Sequence, residues 1–74
     1  MAKIEVKSEI TGKVWKIERK VGDTLSEDDT ILILESMKME IPVAAPTNGA
    51  LIEVLVVEEE MVEEDQVIAL MDEA

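Results

Sequence analysis

The chain has no cysteine and no histidine. Without cysteine there is no disulfide staple, no thiol nucleophile and no thiolate-bound zinc or iron–sulfur cluster. Without histidine there is no Ser-His-Asp triad and no imidazole metal site. The side chain that most readily exchanges protons near neutral pH is missing. Basic residues are scarce: seven Lys and Arg stand against eighteen Asp and Glu, for a formal charge of −11 at pH 7. So acidic a chain lacks the cationic face that nucleic acids and anionic membranes require. Long apolar runs are lacking too. The longest uncharged stretch, Ile41 to Ile52, is broken by Pro42, Pro46, Asn48 and Gly49 and is too short to span a bilayer. The opening residues Met1-Ala2-Lys3-Ile4-Glu5 show no apolar secretory segment, so a cytoplasmic location is expected. These absences leave little equipment for chemistry. No catalytic or metal site is expected, and the chain is not expected to be an enzyme by itself.

What is present argues for a folded unit. With 47% apolar residues the chain is too hydrophobic for a disordered acidic tail. Residues 1–74 are expected to form one small domain with a thin core. The charge is uneven. All seven basic residues fall within 1–38, and 39–74 carries ten acids and no base, densest at Glu58-Glu59-Glu60 and Glu63-Glu64-Asp65. Such a run reads as a solvated face or as an acidic surface for a basic partner.

Sliding the sequence by 37 residues aligns Val6 with Val43, Gly12 with Gly49, Glu27-Asp28 with Glu64-Asp65 and Ile31 with Ile68. Apolar positions coincide as well: Val14 with Leu51, Ile17 with Val54, Leu25 with Val62 and Leu34 with Met71. Two similar halves, 1–37 and 38–74, are therefore expected. Each reads as short strands: Lys13 to Glu18 and Thr30 to Leu34 in the first, Ala50 to Val57 and Val67 to Met71 in the second. Turn signals fall at Val21-Gly22-Asp23 and Pro46-Thr47-Asn48-Gly49. The pattern predicts an all-β sandwich or barrel. A helix over Glu58 to Met71 is the competing assignment, but its first-half partner holds Gly22, Thr24, Thr30 and Ile31. Trp15, the sole aromatic, is expected in the core or half-buried on its strand. Pro42 is expected on an edge strand and Pro46 in the turn before Gly49.

The midpoint breaks local rules. If the segments around Glu35-Ser36-Met37-Lys38-Met39-Glu40 pair as a hairpin, the chain must reverse there without Gly, Asn or Asp. Tight hairpin turns favour those residues because they need positive φ. A turn centred on Met37-Lys38 would also face Glu35 with Glu40, and like charges opposed across a strand pair repel. Rule-breaking of this kind tends to mark functional sites. The bland reading makes Met37 and Met39 core fillers and Lys38 a solvated surface lysine.

Glu35-Ser36-Met37-Lys38-Met39 closely resembles the attachment motif of biotinyl domains, in which a lysine between two methionines receives biotin through an amide bond. The resemblance covers almost the whole chain. Gly12, Gly22-Asp23 and Gly49 fall where such domains carry turn glycines, and the 37-residue repeat resembles the family's quasi-symmetric halves. It implies the biotinyl/lipoyl carrier fold: a flattened β-barrel or sandwich of two four-stranded antiparallel sheets with pseudo-two-fold symmetry, of the hammerhead type. The modified lysine would sit on an exposed β-hairpin. Such an axis would put Met1 and Ala74 together, away from Lys38. Two departures stand out: Glu59 replaces the usual glycine in the second-half turn, and Ser36 stands where alanine is commoner. Nor is there room for the thumb insertion of some bacterial carriers, so the chain resembles the short biotin carboxyl carrier type.

The resemblance implies a non-catalytic carrier of a biotin-dependent carboxylase. A biotin protein ligase would activate biotin as its adenylate, and the Lys38 ε-amine would attack. A lysine amine in water is protonated at neutral pH, so the ligase must help remove a proton. Amide formation would take the formal charge from −11 to −12. A biotin carboxylase would load the carboxyl group and a carboxyltransferase would unload it, with a monomeric domain as tether. Met37 and Met39 would offer adaptable apolar contacts to the ligase. Glu35 and Glu40 could screen the lysine, touch the ligase or simply be solvated, and Ser36 completes the motif. Two other readings are a lipoyl carrier, with lipoate on Lys38, and an unmodified acidic docking domain. Lipoyl domains usually have Asp and Ala beside the lysine, whereas this chain has Met37 and Met39.

Overall fold

A computed structural model describes residues 2–74. The strands are β1 (Lys3–Lys7), β2 (Gly12–Ile17), β3 (Thr24–Leu25), β4 (Thr30–Ser36), β5 (Met39–Ala44), β6 (Gly49–Val54), β7 (Met61–Val62) and β8 (Val67–Glu73). They form two four-stranded antiparallel sheets, ordered β1-β8-β6-β3 and β5-β4-β2-β7. The all-β class and the two-sheet architecture are as expected. Residues 58–71 form β7, a turn and most of β8 rather than a helix.

Shifting β2, β3 and β4 by 37 residues gives the bounds of β6, β7 and β8. The register follows the same rule. Lys13 pairs with Glu35 as Ala50 pairs with Asp72, and bulges fall at Val14/Lys16 and Leu51/Glu53. The loops after β2 and β6 cross to the other sheet. Gly22 N–H donates to Leu51 O at 2.8 Å, and Glu59 N–H donates to Val14 O at 2.7 Å. These crossings join the sheets around one core.

The core explains the alternation. Val14, Leu25, Ile31, Leu32 and Leu34 face inward with their counterparts Leu51, Val62, Ile68, Ala69 and Met71, all essentially inaccessible to water. Leu32 and Ile31 are both buried, which is why Thr30 to Leu34 reads as an unbroken apolar run. The expected strand Ala50 to Val57 ends early, at Val54, because residues 55–60 leave to reach the opposite sheet. Trp15 also departs from expectation. It sits at the bulge between Val14 and Lys16, directly after inward-facing Val14, and is 41% exposed on the outer face.

The turn at Glu59 is built like that at Gly22. Both have positive φ, 77° for Glu59 and 100° for Gly22, and both make the same crossing hydrogen bond. The missing glycine therefore changes neither the turn nor the register. Glu59 instead adopts a left-handed conformation that costs an L-residue about 1–2 kcal/mol. Gly12 and Gly49 serve differently from turn glycines. They open β2 and β6, and a Cβ at Gly12 would lie 2.8 Å from the Glu35 carbonyl oxygen. A Cβ at Gly49 would press still closer on the Asp72 carbonyl.

The chain ends are tied together, although Met1 lies outside the described residues. Glu73 N–H donates to Ala2 O at 2.8 Å and Ala74 N–H to Asn48 O at 3.0 Å. Glu27 N–H reaches the Asn48 side chain at 2.7 Å, so the loop before β4 packs beside these ends. From there β4 runs its seven residues, about 20 Å, to the midpoint turn. Among the described residues no helix is long and apolar enough to cross a membrane.

Glu59→Gly should relieve the strain and stabilise the fold by about 0.5–1 kcal/mol after the entropic cost of glycine, raising the thermal midpoint by a few degrees. Gly49→Ala should destabilise it by roughly 1–3 kcal/mol, and more than Gly12→Ala. Thermal and urea denaturation of the three variants would check this order.

Candidate functional site

β4 and β5 pair closely up to the midpoint turn. Leu34 opposes Ile41, Glu35 opposes Glu40 and Ser36 opposes Met39. Two residues, Met37 and Lys38, remain to reverse the chain. Both have positive φ, 52° and 63°, the signature of the hairpin turn that normally selects Asn-Gly. Two left-handed L-residues cost about 1–2 kcal/mol each. The rest of the β4–β5 ladder, anchored through buried Leu34 and Leu32, holds them there.

Every side chain of the motif is accessible. Met37 is 91% exposed and Met39 61%, so neither fills the core. Lys38, Glu35 and Glu40 are exposed and Ser36 is half-buried. Among the described residues the ion pairs are Lys13–Glu59 at 3.7 Å and Lys16–Glu18 at 3.5 Å; neither involves Lys38. The structure thus presents a projecting ammonium between two thioethers, on a backbone whose conformation is set by the strands below. A cleft of about 390 Å³ between β1 and β5, lined by Ile10, Leu34, Ile41 and Val43 among others, does not include Lys38.

The acidic run has local work. Glu58 accepts the Ile17 N–H at 3.1 Å, Glu59 pairs with Lys13, and Glu60 accepts the Val57 N–H at 3.1 Å. Asp23 does for Lys20 what Glu60 does for Val57. Among the described residues no cluster of three or more Asp or Glu is arranged to hold a metal ion. Pro42 lies on edge strand β5, as expected, and Pro46 in the bend before β6.

A family model for biotin/lipoyl domains, described as "Biotin-requiring enzyme", matches residues 2–71. The chain belongs to the biotin/lipoyl attachment family. Among its relatives, the biotin/lipoyl attachment protein of Bacillus subtilis is 40% identical over 63 residues, covering 85% of this chain and 86% of that protein. A biotinylated protein TB7.3 homolog from Mycobacterium leprae is 34% identical over 67 residues, covering 90% of this chain and 94% of that one. In three dimensions the chain is similar to part of the urea carboxylase of Kluyveromyces lactis, with a TM-score of 0.92 and 32% identity. That match covers 97% of this chain but 6% of the carboxylase. The family fold and the exposed hairpin thus come together in one biotin/lipoyl domain.

The strain in the turn is measurable. Replacing Met37-Lys38 by Asn-Gly should stabilise the isolated domain by about 1–3 kcal/mol, because both residues accept positive φ. A higher urea midpoint with an unchanged m-value is the expected result.

Proposed function

We propose that this domain is a biotin carboxyl carrier, modified on Lys38 and serving a biotin-dependent carboxylase without catalysing a step itself. The observation that carries this reading is the turn. Its two residues take conformations that favour glycine and asparagine, yet they are Met and Lys, with a second Met following. Folding alone favours other residues there, so the choice reflects what the turn presents.

In this reading a biotin protein ligase docks on the hairpin. Met37 and Met39 give it adaptable apolar contacts, with Glu35 and Ser36 completing the recognised segment. The Lys38 Nζ loses a proton to the ligase and attacks the acyl carbon of biotin adenylate. An amide C–N bond forms, the acyl–oxygen bond breaks, and AMP leaves. Bound biotin supplies a group that takes up a carboxyl at a biotin carboxylase and yields it at a carboxyltransferase. The domain supplies position. A stiff sheet under a two-residue turn fixes the root of the arm, and tethering holds its tip at an effective concentration of order mM near both sites. Residues 1–74 act as one monomeric cytoplasmic unit in this scheme.

The name of the Bacillus relative, biotin/lipoyl attachment protein, favours lipoate on Lys38 as the second reading. Intact mass after incubation with a biotin ligase and, separately, a lipoate ligase separates the two. A biotin adduct should form and vanish in Lys38→Arg. No adduct with either ligase would sink both carrier readings and leave the unmodified docking domain. Met37→Asp with Met39→Ala should shift labelling toward lipoate; unchanged biotin labelling would refute the recognition role given to the methionines.

A further inference from the structure

Of the five methionines, all but Met1 lie within the described residues, and the fold divides them sharply. Met71 is inaccessible to water inside the core. Met61 is 62% exposed on β7, which β2 separates from the lysine-bearing hairpin. Met37 and Met39 are 91% and 61% exposed and stand on either side of Lys38. The turn causes that exposure. Both of its residues have positive φ and no strand continues beyond them, so water surrounds most of Met37.

Exposed thioethers are open to oxidation. The chain has no cysteine, so no thiol competes with them for an oxidant. A thioether carries its reactive lone pair at any pH, and access decides which methionine reacts. Oxidation turns a flexible apolar side chain into a polar one and spoils the contact surfaces that methionines make. In a core the same change breaks packing, but Met71 is shielded from it. Met37 and Met39 contribute nothing to that core, so they can change polarity while the fold stays intact. What changes is the surface shown beside Lys38.

The surroundings select the oxidant. Glu35 and Glu40 face each other one rung below Ser36 and Met39, and the chain as a whole carries −11. That field repels anionic oxidants and leaves a neutral peroxide unhindered. With hydrogen peroxide a sulfur lone pair attacks one oxygen, an S–O bond forms and the O–O bond breaks. The departing hydroxide takes the proton from the transferred oxygen and leaves as water. Sulfur has lost two electrons and peroxide has gained them. A methionine sulfoxide reductase fed by thiols reverses the change: the oxygen leaves as water while two thiols become a disulfide.

We propose that Met37 and Met39 form a reversible oxidation site that gates the loading of Lys38. As thioethers they admit the biotin-attaching ligase, and as sulfoxides made by a peroxide they turn it away. This rests on the reading of Lys38 as the biotin acceptor and of the two methionines as contacts for the ligase. The gate acts before loading. An oxidised chain stays folded but receives no biotin, so the supply of loaded carrier falls while peroxide is present. Reduction restores it without new protein being made.

The test treats the unloaded chain with hydrogen peroxide and removes the peroxide before ligase is added. Peptide mapping by mass spectrometry should find sulfoxide first at Met37, then at Met39 and Met61, and none at Met71, with an unchanged circular dichroism spectrum. The kcat/KM for biotin attachment should fall at least about tenfold as Met37 and Met39 are oxidised, because a polar sulfoxide must then be buried against the ligase. Incubation with sulfoxide reductases of both epimer classes and a dithiol should restore it. Met61→Leu should show the same fall. The double variant Met37→Leu with Met39→Leu, whatever its starting value, should hold that value within about twofold through the same treatment. A chain mapped as oxidised at both positions that still takes biotin at the untreated rate would overturn this proposal alone. So would a fall that disappears in Met61→Leu, or one that reductase treatment does not reverse. An untreated chain that takes no biotin would overturn the reading of Lys38 and this proposal with it.

Discussion

The pairing of β4 with β5 is the constraint on which the site depends. Six residue pairs run from Thr30 and Ala44 up to Ser36 and Met39, leaving two residues in which to turn. Strand twist favours positive φ at both, whatever side chains they carry. The buried part of the same ladder, through Leu34 and Leu32, outweighs the local penalty. Core packing thus stabilises a turn that local preference disfavours, and the turn holds Lys38 out in water. Fold and site are linked through one hairpin.

Much of this was legible in the sequence where side-chain period and burial agree. The counterparts Val14 and Leu51, Leu25 and Val62, and Leu34 and Met71 line up at 37 residues because each pair occupies equivalent places in one shared core. The facing of Glu35 and Glu40 follows from counting outward from a two-residue turn, and the structure has that register. Features that depend on the opposite sheet were not legible. β3 and β7 are two residues each and exist because a crossing loop brings them beside β6 and β2, so no periodicity announces them. The end of β6 at Val54 reflects the same crossing.

The remaining departures share a cause: these positions do not follow the commonest role of the residue type they carry. Tryptophan is usually buried, but Trp15 directly follows inward-facing Val14 and so points outward. Glycine often signals positive φ, yet Gly12 and Gly49 are needed because a carbonyl from the neighbouring strand lies where a Cβ would go. Glu59 is the reverse case, a left-handed residue that is not glycine, held by its hydrogen bond to Val14. For Gly12, Gly49 and Glu59 the neighbouring strand sets the environment, and one chain read in order does not display it.

The terminal pairing of β1 with β8 has a mechanical consequence. It is the counterpart of the β5–β4 hairpin, with matching bulges at Val6/Lys7 and Thr30/Leu32. The difference is closure. Met37 and Lys38 join β4 to β5 covalently, whereas no turn joins β8 to β1, which pair through hydrogen bonds such as Glu73 N–H to Ala2 O. Tension applied through β1 and β8 peels the pair open from Lys3 and Asp72, one rung at a time. The closed hairpin, a strand's length away, lies outside that load path. Lys38 is therefore carried on the end of the molecule that cannot unzip.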